Sequence, residues 1–201
     1  MRFVTSGALV AGLAQMALGQ EQGGLSLSAA LSNYTELSSF SQVLTTFPTL
    51  LTLLVPANLG TRITILVPSN SAFEKFIKAN NGQAPTSLPV DKLSAIFQYH
   101  ILAAQLTSRN FTTPRGITVP TLLREKLYNN RSAGAALVNT FGAAASEGNV
   151  LFVAPDPIAK AKLRVRQGTP SVNARGGLGE TSTISAIDGQ FDGGAFQIID
   201  T

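Results

Sequence analysis

Cysteine is absent from the 201-residue chain, and histidine occurs only once. The lack of thiols excludes disulfide frameworks, zinc fingers and cysteine nucleophiles, and a single imidazole excludes sites that need two histidine ligands. Charged residues make up only 13% of the sequence against 44% hydrophobic residues, which excludes a disordered chain and a long charged coiled coil. We therefore expect one ordinary globular domain that is stabilised by its hydrophobic core alone.

The formal net charge is +4 and the pI is near 9.7, but the basic residues are scattered along the chain. The densest group is the alternating run Lys160, Lys162, Arg164 and Arg166. This spacing would place all four side chains on one face of a strand. We interpret the run as a solvated outer face, with an anionic glycan or a lipid head group as the alternative partner, and we expect no nucleic-acid partner.

The N-terminus has the pattern of a secretory signal peptide. A positive start at Arg2 precedes a weakly polar run, Phe3–Leu18, and the small residues Ala17 and Gly19 precede a switch to polar sequence. An uncleaved anchor helix is the alternative, but the run falls short of the ~20 residues needed to span a bilayer. We predict that residues 1–19 are removed.

Three glycosylation sequons agree with a secreted or cell-surface protein: Asn33, Asn110 and Asn130 each begin an Asn-x-Ser/Thr triplet. No later stretch is long and apolar enough to cross a membrane, so we expect that the mature chain does not span one. The last residues, Ile198–Thr201, show no spacer and apolar tail of a lipid-anchor signal.

Hydrophobic periodicity changes along the chain from helical to strand-like. The predicted helices are residues 27–34, 40–47, 48–54, 71–79 and 91–101. The predicted strands are residues 63–67, 106–111, 117–123, 136–141, 150–154, 162–166, 181–187 and 195–199. Ser71 and Glu74 have capping-box spacing and are predicted to begin the helix after the first strand. Helices followed by short strands predict an α+β domain with mostly antiparallel pairing.

Candidate chemistry is sparse. A hydrolase would have to use His100, but this residue shares an apolar stripe with Leu93 and Phe97, and the chain has no Gly-x-Ser-x-Gly motif. We therefore predict a neutral, hydrogen-bonded structural histidine and no catalytic residues. Asp188 and Asp192 flank a glycine-rich turn and could bind calcium, although turn formation is the commoner role of such residues. We expect no metal site and no cofactor.

The order of segments resembles a fasciclin domain over residues 26–201, which leaves residues 20–25 as a short linker. Four segments carry the resemblance: Leu37–Leu44, Thr64–Phe73, Leu93–Leu102 and Gly193–Asp200. The motif residues within them are Pro68, Ser69, Asn70, Phe73, Tyr99, His100, Ile199 and Asp200. The chain departs from the family pattern at Gly193, where the family prefers asparagine, and at Gln197, where histidine is frequent.

The resemblance implies helices packed against a mostly antiparallel β sandwich or wedge of about seven strands. It also implies a secreted or cell-surface, non-catalytic adhesion module of the extracellular matrix or cell wall. The implied partners are cell-surface or matrix components, glycans or another fasciclin-like domain. Tyr99–His100 stands where some animal relatives carry a proposed integrin-contacting Tyr-His motif. Because fungal relatives often carry two domains and a lipid anchor, this chain could be a piece of a longer protein.

A secreted binder of a hydrophobic small molecule or lipid, held between the helices and the sheet, is the alternative. A deep apolar cavity would favour this alternative, whereas a filled core would favour adhesion.

Overall fold

The structure is a computed structural model that describes residues 24–54, 62–128, 135–143, 147–155, 172–176 and 181–200. The predicted signal peptide, most of the linker, Asn130 and the basic run at 160–166 lie outside the described residues. The α-helices are α1 (Leu27–Leu31), α2 (Ser38–Thr46), α3 (Thr49–Leu54), α4 (Asn70–Ala79), α5 (Val90–Tyr99), α6 (Ser108–Phe111) and α7 (Val138–Phe141). Short 3₁₀ turns cover Thr35–Leu37, Pro85–Ser87 and Ala135–Leu137. The strands are β1 (Ile63–Pro68), β2 (Ile101–Leu102), β3 (Ile117–Pro120), β4 (Val150–Pro155), β5 (Val172–Arg175), β6 (Thr181–Phe191) and β7 (Gly194–Asp200).

All seven strands form one sheet in the order β2-β1-β7-β6-β5-β4-β3. The β1–β7 pair is parallel, and the other pairs are antiparallel. The two edges of the sheet approach each other, because an antiparallel bridge joins Leu102 to Thr121 and the Ala103 amide donates to the Pro120 carbonyl at 2.9 Å. The fold is therefore α+β, with a mixed and nearly closed sheet in place of two separate layers.

Strand β1 is buried on both faces and divides the core into two clusters. Ile63, Ile65 and Val67 point to the cluster formed with the helices, and Leu66 points to the cluster inside the curved sheet. Strand β7 lies beside it and is equally buried until its last residue. Such continuous hydrophobic runs are typical of strands that are covered on both sides.

Five of the predicted strands are present at residues 63–67, 117–123, 150–154, 181–187 and 195–199, although β3 ends earlier and β6 runs further than predicted. Two predicted strands are wrong, since residues 108–111 form α6 and residues 135–141 form a 3₁₀ turn and α7. In α6 the Thr107 backbone amide donates to Asn110 Oδ1 at 2.9 Å, and this local capping box favours a helical turn. In α7 the chain leaves the helix at Gly142, whose φ of 85° suits glycine.

The start of α4 also differs from the prediction. Ser69, not Ser71, caps the helix: Ser69 Oγ accepts a hydrogen bond from the Ala72 amide at 3.2 Å. The Ser71 hydroxyl donates to Asp200 instead, at 2.6 Å. The capping-box spacing was misleading because a long-range acceptor occupies the Ser71 hydroxyl.

None of the helices among the described residues is long and apolar enough to span a bilayer.

Candidate functional site

The turn between β1 and α4 brings motif residues against the N-terminal helices. Asn70 Oδ1 accepts from the Ser39 amide at 2.9 Å, and Asn70 Nδ2 donates to the Thr35 carbonyl at 3.2 Å and to Ser38 Oγ at 3.0 Å. Both ends of the amide are thus bound to the segment that begins α2. Asn70 acts as a tie between the two parts of the chain, and its polar atoms are engaged within the protein.

Asp200, at the end of β7, is bound to the same turn. Asp200 Oδ1 accepts from Ser71 Oγ at 2.6 Å and forms an ion pair with Lys75 Nζ at 3.2 Å. The Ser71 hydrogen bond and the Lys75 ammonium outweigh partial desolvation, so the pKa of Asp200 lies below its ordinary value. The preceding Ile199 is buried and pairs with Pro68 of β1. The Thr64–Phe73 and Gly193–Asp200 segments therefore meet in one place.

The Tyr99–His100 pair lies at the end of α5 and not on an open surface. His100 Nδ1 is 2.7 Å from the Ile96 carbonyl oxygen, and the two rings meet edge to face with centroids 6.3 Å apart. Burial lowers the pKa of His100, although the hydrogen bond to Ile96 acts in the opposite direction. Tyr99 is half-buried against the cluster inside the sheet. Phe73, from the other motif, is half-buried against the helical cluster.

A polar network that the sequence did not indicate lies at a bulge in β6. Asp188 accepts from the Ser108 amide at 2.7 Å, from the Ser108 hydroxyl at 2.6 Å and from Gln197 Nε2 at 2.6 Å. Gln197 is fully buried. Its side-chain oxygen, Oε1, accepts hydrogen bonds from the backbone amides of Ile187 and Asp188 at 3.1 Å each. The hydrogen bonds from Ser108 and Gln197 outweigh desolvation and lower the pKa of Asp188.

This network bears on the alternative that Asp188 and Asp192 bind calcium. Asp188 is occupied by protein donors, while Asp192 is exposed and makes its backbone contact with Leu25. Among the described residues, no group of three or more histidine, aspartate or glutamate side chains is arranged to hold a metal ion. The one feature of the sequence that pointed to this network was Gln197, which stands where the family often has histidine.

Two surface grooves are lined by described residues. The larger has a volume of about 620 Å³ and lies between α5 and the segment after β3, with Asp91, Gln98, Arg124 and Tyr128 among its lining residues. The smaller, of about 290 Å³, lies on the outer face of β4 and β5. Both grooves are open to solvent.

The predicted sequons Asn33 and Asn110 are exposed, and Asn110 additionally caps α6.

Comparison with known proteins agrees with this geometry. The profile of the fasciclin domain matches residues 30–153. The fasciclin-like arabinogalactan protein elcF of Phaeosphaeria nodorum is 28% identical over 174 residues, which cover 87% of this chain and 45% of that protein. A structure of a FAS1 domain pair from the insect cell adhesion molecule Fasciclin I matches with a TM-score of 0.50 and 19% identity, over 82% of this chain and 44% of that one.

The fold and the assembled motifs define an α+β module of the FAS1 type. The chain belongs to the fasciclin domain family. It spans less than half the length of either relative.

Proposed function

We propose that this chain is a secreted or cell-surface, non-catalytic module that binds components of an extracellular matrix or cell wall. One observation carries the proposal: the polar side chains of the family motifs form hydrogen bonds with other residues of the same chain. Asn70 and Asp200 bind the turn and helices around them, and His100 binds the Ile96 carbonyl. Motif residues that bond within the chain stabilise the fold. We therefore propose that other residues, on the outer surface, bind the partner.

The enzyme alternative has little support in this geometry. A general base must reach a substrate proton, whereas the Nδ1 atom of His100 is committed to a backbone carbonyl 2.7 Å away and its ring packs against Tyr99. The lipid-binding alternative would need a deep apolar cavity between helices and sheet. Among the described residues, the helical cluster packs in that place, and it includes Phe196 and the rings of Phe40 and Phe97, stacked at 5.4 Å.

The testing experiment is an array of glycans and matrix proteins probed with the purified mature chain. We expect reproducible binding to at least one component, above that of an unrelated secreted protein of matched pI. Absence of binding to every component of the array would contradict the proposal. Turnover of an ester, glycoside or phosphate panel that one point substitution, such as His100→Ala, abolishes in a folded protein would contradict its non-catalytic part.

A further inference from the structure

The outer face of the sheet at β4 and β5 carries an unusual set of side chains. Alternation along these strands buries Leu151, Val153, Val172 and Ala174 in the cluster inside the sheet. The opposite face of the same strands carries Phe152, Ala154, Asn173 and Arg175. A two-residue period places each set on one side, so these outward residues form a continuous surface.

Phe152 lies at the centre of this surface, and its ring packs against Gly116. Its side of the sheet is open, with 37% of the residue exposed, and it pairs directly with Thr118 on one neighbour and Arg175 on the other. Gly116 lies against the ring with a φ of +70°, and a Cβ there would come within 2.4 Å of the ring Cζ atom. The glycine therefore leaves room for the ring close to the backbone, while the residue stays exposed to solvent.

Two arginines flank the ring and are unpaired. Arg115 and Arg175 are exposed, and neither guanidinium forms an ion pair or hydrogen bond with a residue in the described ranges. Together with Phe152 and Asn173 they line the groove of about 290 Å³. Because no acidic side chain among the described residues pairs with either guanidinium group, the groove carries a positive potential that attracts anions, and the net charge of +4 acts in the same direction.

We propose that the surface formed by Arg115, Phe152, Asn173 and Arg175 is a binding site for an acidic polysaccharide. The C–H face of a sugar ring covers the Phe152 ring, and carboxylate or sulfate groups on neighbouring sugars receive the paired N–H donors of the two guanidinium groups. The Asn173 amide supplies a donor and an acceptor for hydroxyl groups. This inference rests on the proposed function and names its ligand class and its location.

The arrangement favours a polysaccharide over the other polyanions. Single-stranded nucleic acids bind to several aromatic side chains in succession, whereas the described residues of β4 and β5 place one aromatic side chain, Phe152, on this face. A membrane surface requires a broad apolar face that inserts between head groups, whereas Phe152 is surrounded by threonine, asparagine and arginine. Oligonucleotide and anionic vesicles therefore serve as competing probes.

The test measures the dissociation constants of the whole mature chain for polygalacturonate and for heparin oligosaccharides, with an uncharged galactan as the neutral probe. The two acidic polymers separate carboxylate from sulfate recognition. Arg115→Gln with Arg175→Gln removes both guanidinium groups, and Phe152→Leu removes the ring while it retains apolar contact with Gly116. The matched control, Lys78→Gln with Lys92→Gln, removes the same charge from exposed positions on α4 and α5.

We expect the double arginine variant to bind the preferred acidic polymer at least about tenfold more weakly, with a salt dependence reduced by about 1.5 in the log–log slope. Phe152→Leu should weaken binding by several-fold without changing that slope, and the lysine control should remain within about twofold of the parent. Equal losses in the arginine and lysine variants would overturn the site in favour of diffuse attraction. Tighter binding to an oligonucleotide or to anionic vesicles would also overturn it.

The result is separable from the broader proposal. Binding of the parent chain to a matrix protein on the array, together with no measurable affinity for either acidic polymer, would refute this site and leave the adhesion proposal standing. Unchanged melting temperatures of the three variants show that a loss of binding does not arise from unfolding.

Discussion

At the scale of single residues, His100 is the side chain whose role is most open to a direct test. His100→Ala removes the Nδ1 contact to the Ile96 carbonyl oxygen and leaves a partly buried gap beside Tyr99. We expect the free energy of unfolding to fall by about 1–3 kcal/mol at pH 7, because a polar group loses its partner and packing is lost. Thermal and urea unfolding of the variant beside the parent measure this; an unchanged stability would contradict a structural role.

The same residue makes a pH prediction. Because burial lowers the pKa of His100 below its ordinary value near 6.5, the unfolded chain takes up a proton more readily than the folded one. Stability of the parent should therefore be complete above pH 6.5 and should decrease as the pH falls below it. The lowered pKa values of Asp188 and Asp200 act only in more acidic solution. Urea titrations between pH 5 and 7.5 should show a weaker pH dependence in His100→Ala than in the parent.

Some residue roles follow from local sequence and others do not. Helical periodicity placed His100 next to α5, and its ring contacts Ile96 and Tyr99 of that helix. The helix nevertheless ends at Tyr99, earlier than predicted, and Ile101 begins β2. It could not identify Ser71 as a partner of Asp200, since 129 residues separate the two in the chain. The role of Gln197 was also hidden, because Asp188 reaches it through the register shift between Ser185 and Gly189 of β6.

At the scale of secondary-structure elements, Thr64 links β1 to the segment that follows β2. Thr64 is fully buried, its Oγ1 donates to the Ala104 carbonyl at 2.8 Å, and the Leu106 amide donates to Oγ1 at 2.7 Å. Thr64→Val keeps the shape and leaves a buried N–H without an acceptor. We expect a loss of about 1–3 kcal/mol in the free energy of unfolding.

Thr118→Val is the matched control, since Thr118 occupies the exposed face of β3. It should change the free energy of unfolding by no more than about 0.5 kcal/mol. Urea denaturation at pH 7 compares both variants with the parent. Equal effects at the two positions would mean that strand propensity, and not the buried hydrogen bond, determines the cost.

The elements that the sequence failed to predict are short and depend on distant partners. Strand β2 has two residues and exists because it pairs with β1, and the four residues of β5 lie between β4 and β6. Such segments carry too few residues to show a period of their own. The opposite error arose at α6 and α7, where apolar residues spaced like a strand form single helical turns. In α6 a local capping box stabilises the turn. The long elements β1, α4 and α5 were predictable because their periodicity extends over several residues.

At the scale of the whole molecule, secretory processing can be tested directly. We predict that the chain, expressed in a eukaryotic secretion host, begins at Gln20, and that at least two of Asn33, Asn110 and Asn130 carry glycans. Asn33 and Asn110 are exposed, which supports their access to the transferase. Intact mass after glycan removal and peptide mapping give both answers. Retention of residues 1–19, or three unmodified asparagines, would contradict the prediction.

The parallel pairing of β1 with β7 has a consequence for synthesis. Ile63 pairs with Gly194 and Pro68 with Ile199, so the partner of β1 is translated about 130 residues later. At ~5–20 residues per second, the apolar segment of β1 waits for roughly 6 to 26 seconds before its neighbour exists. During that time a flat, hydrophobic strand edge is available to any other nascent chain. We therefore expect slow refolding after dilution from denaturant, and a need for chaperones in the cell while β1 waits for β7.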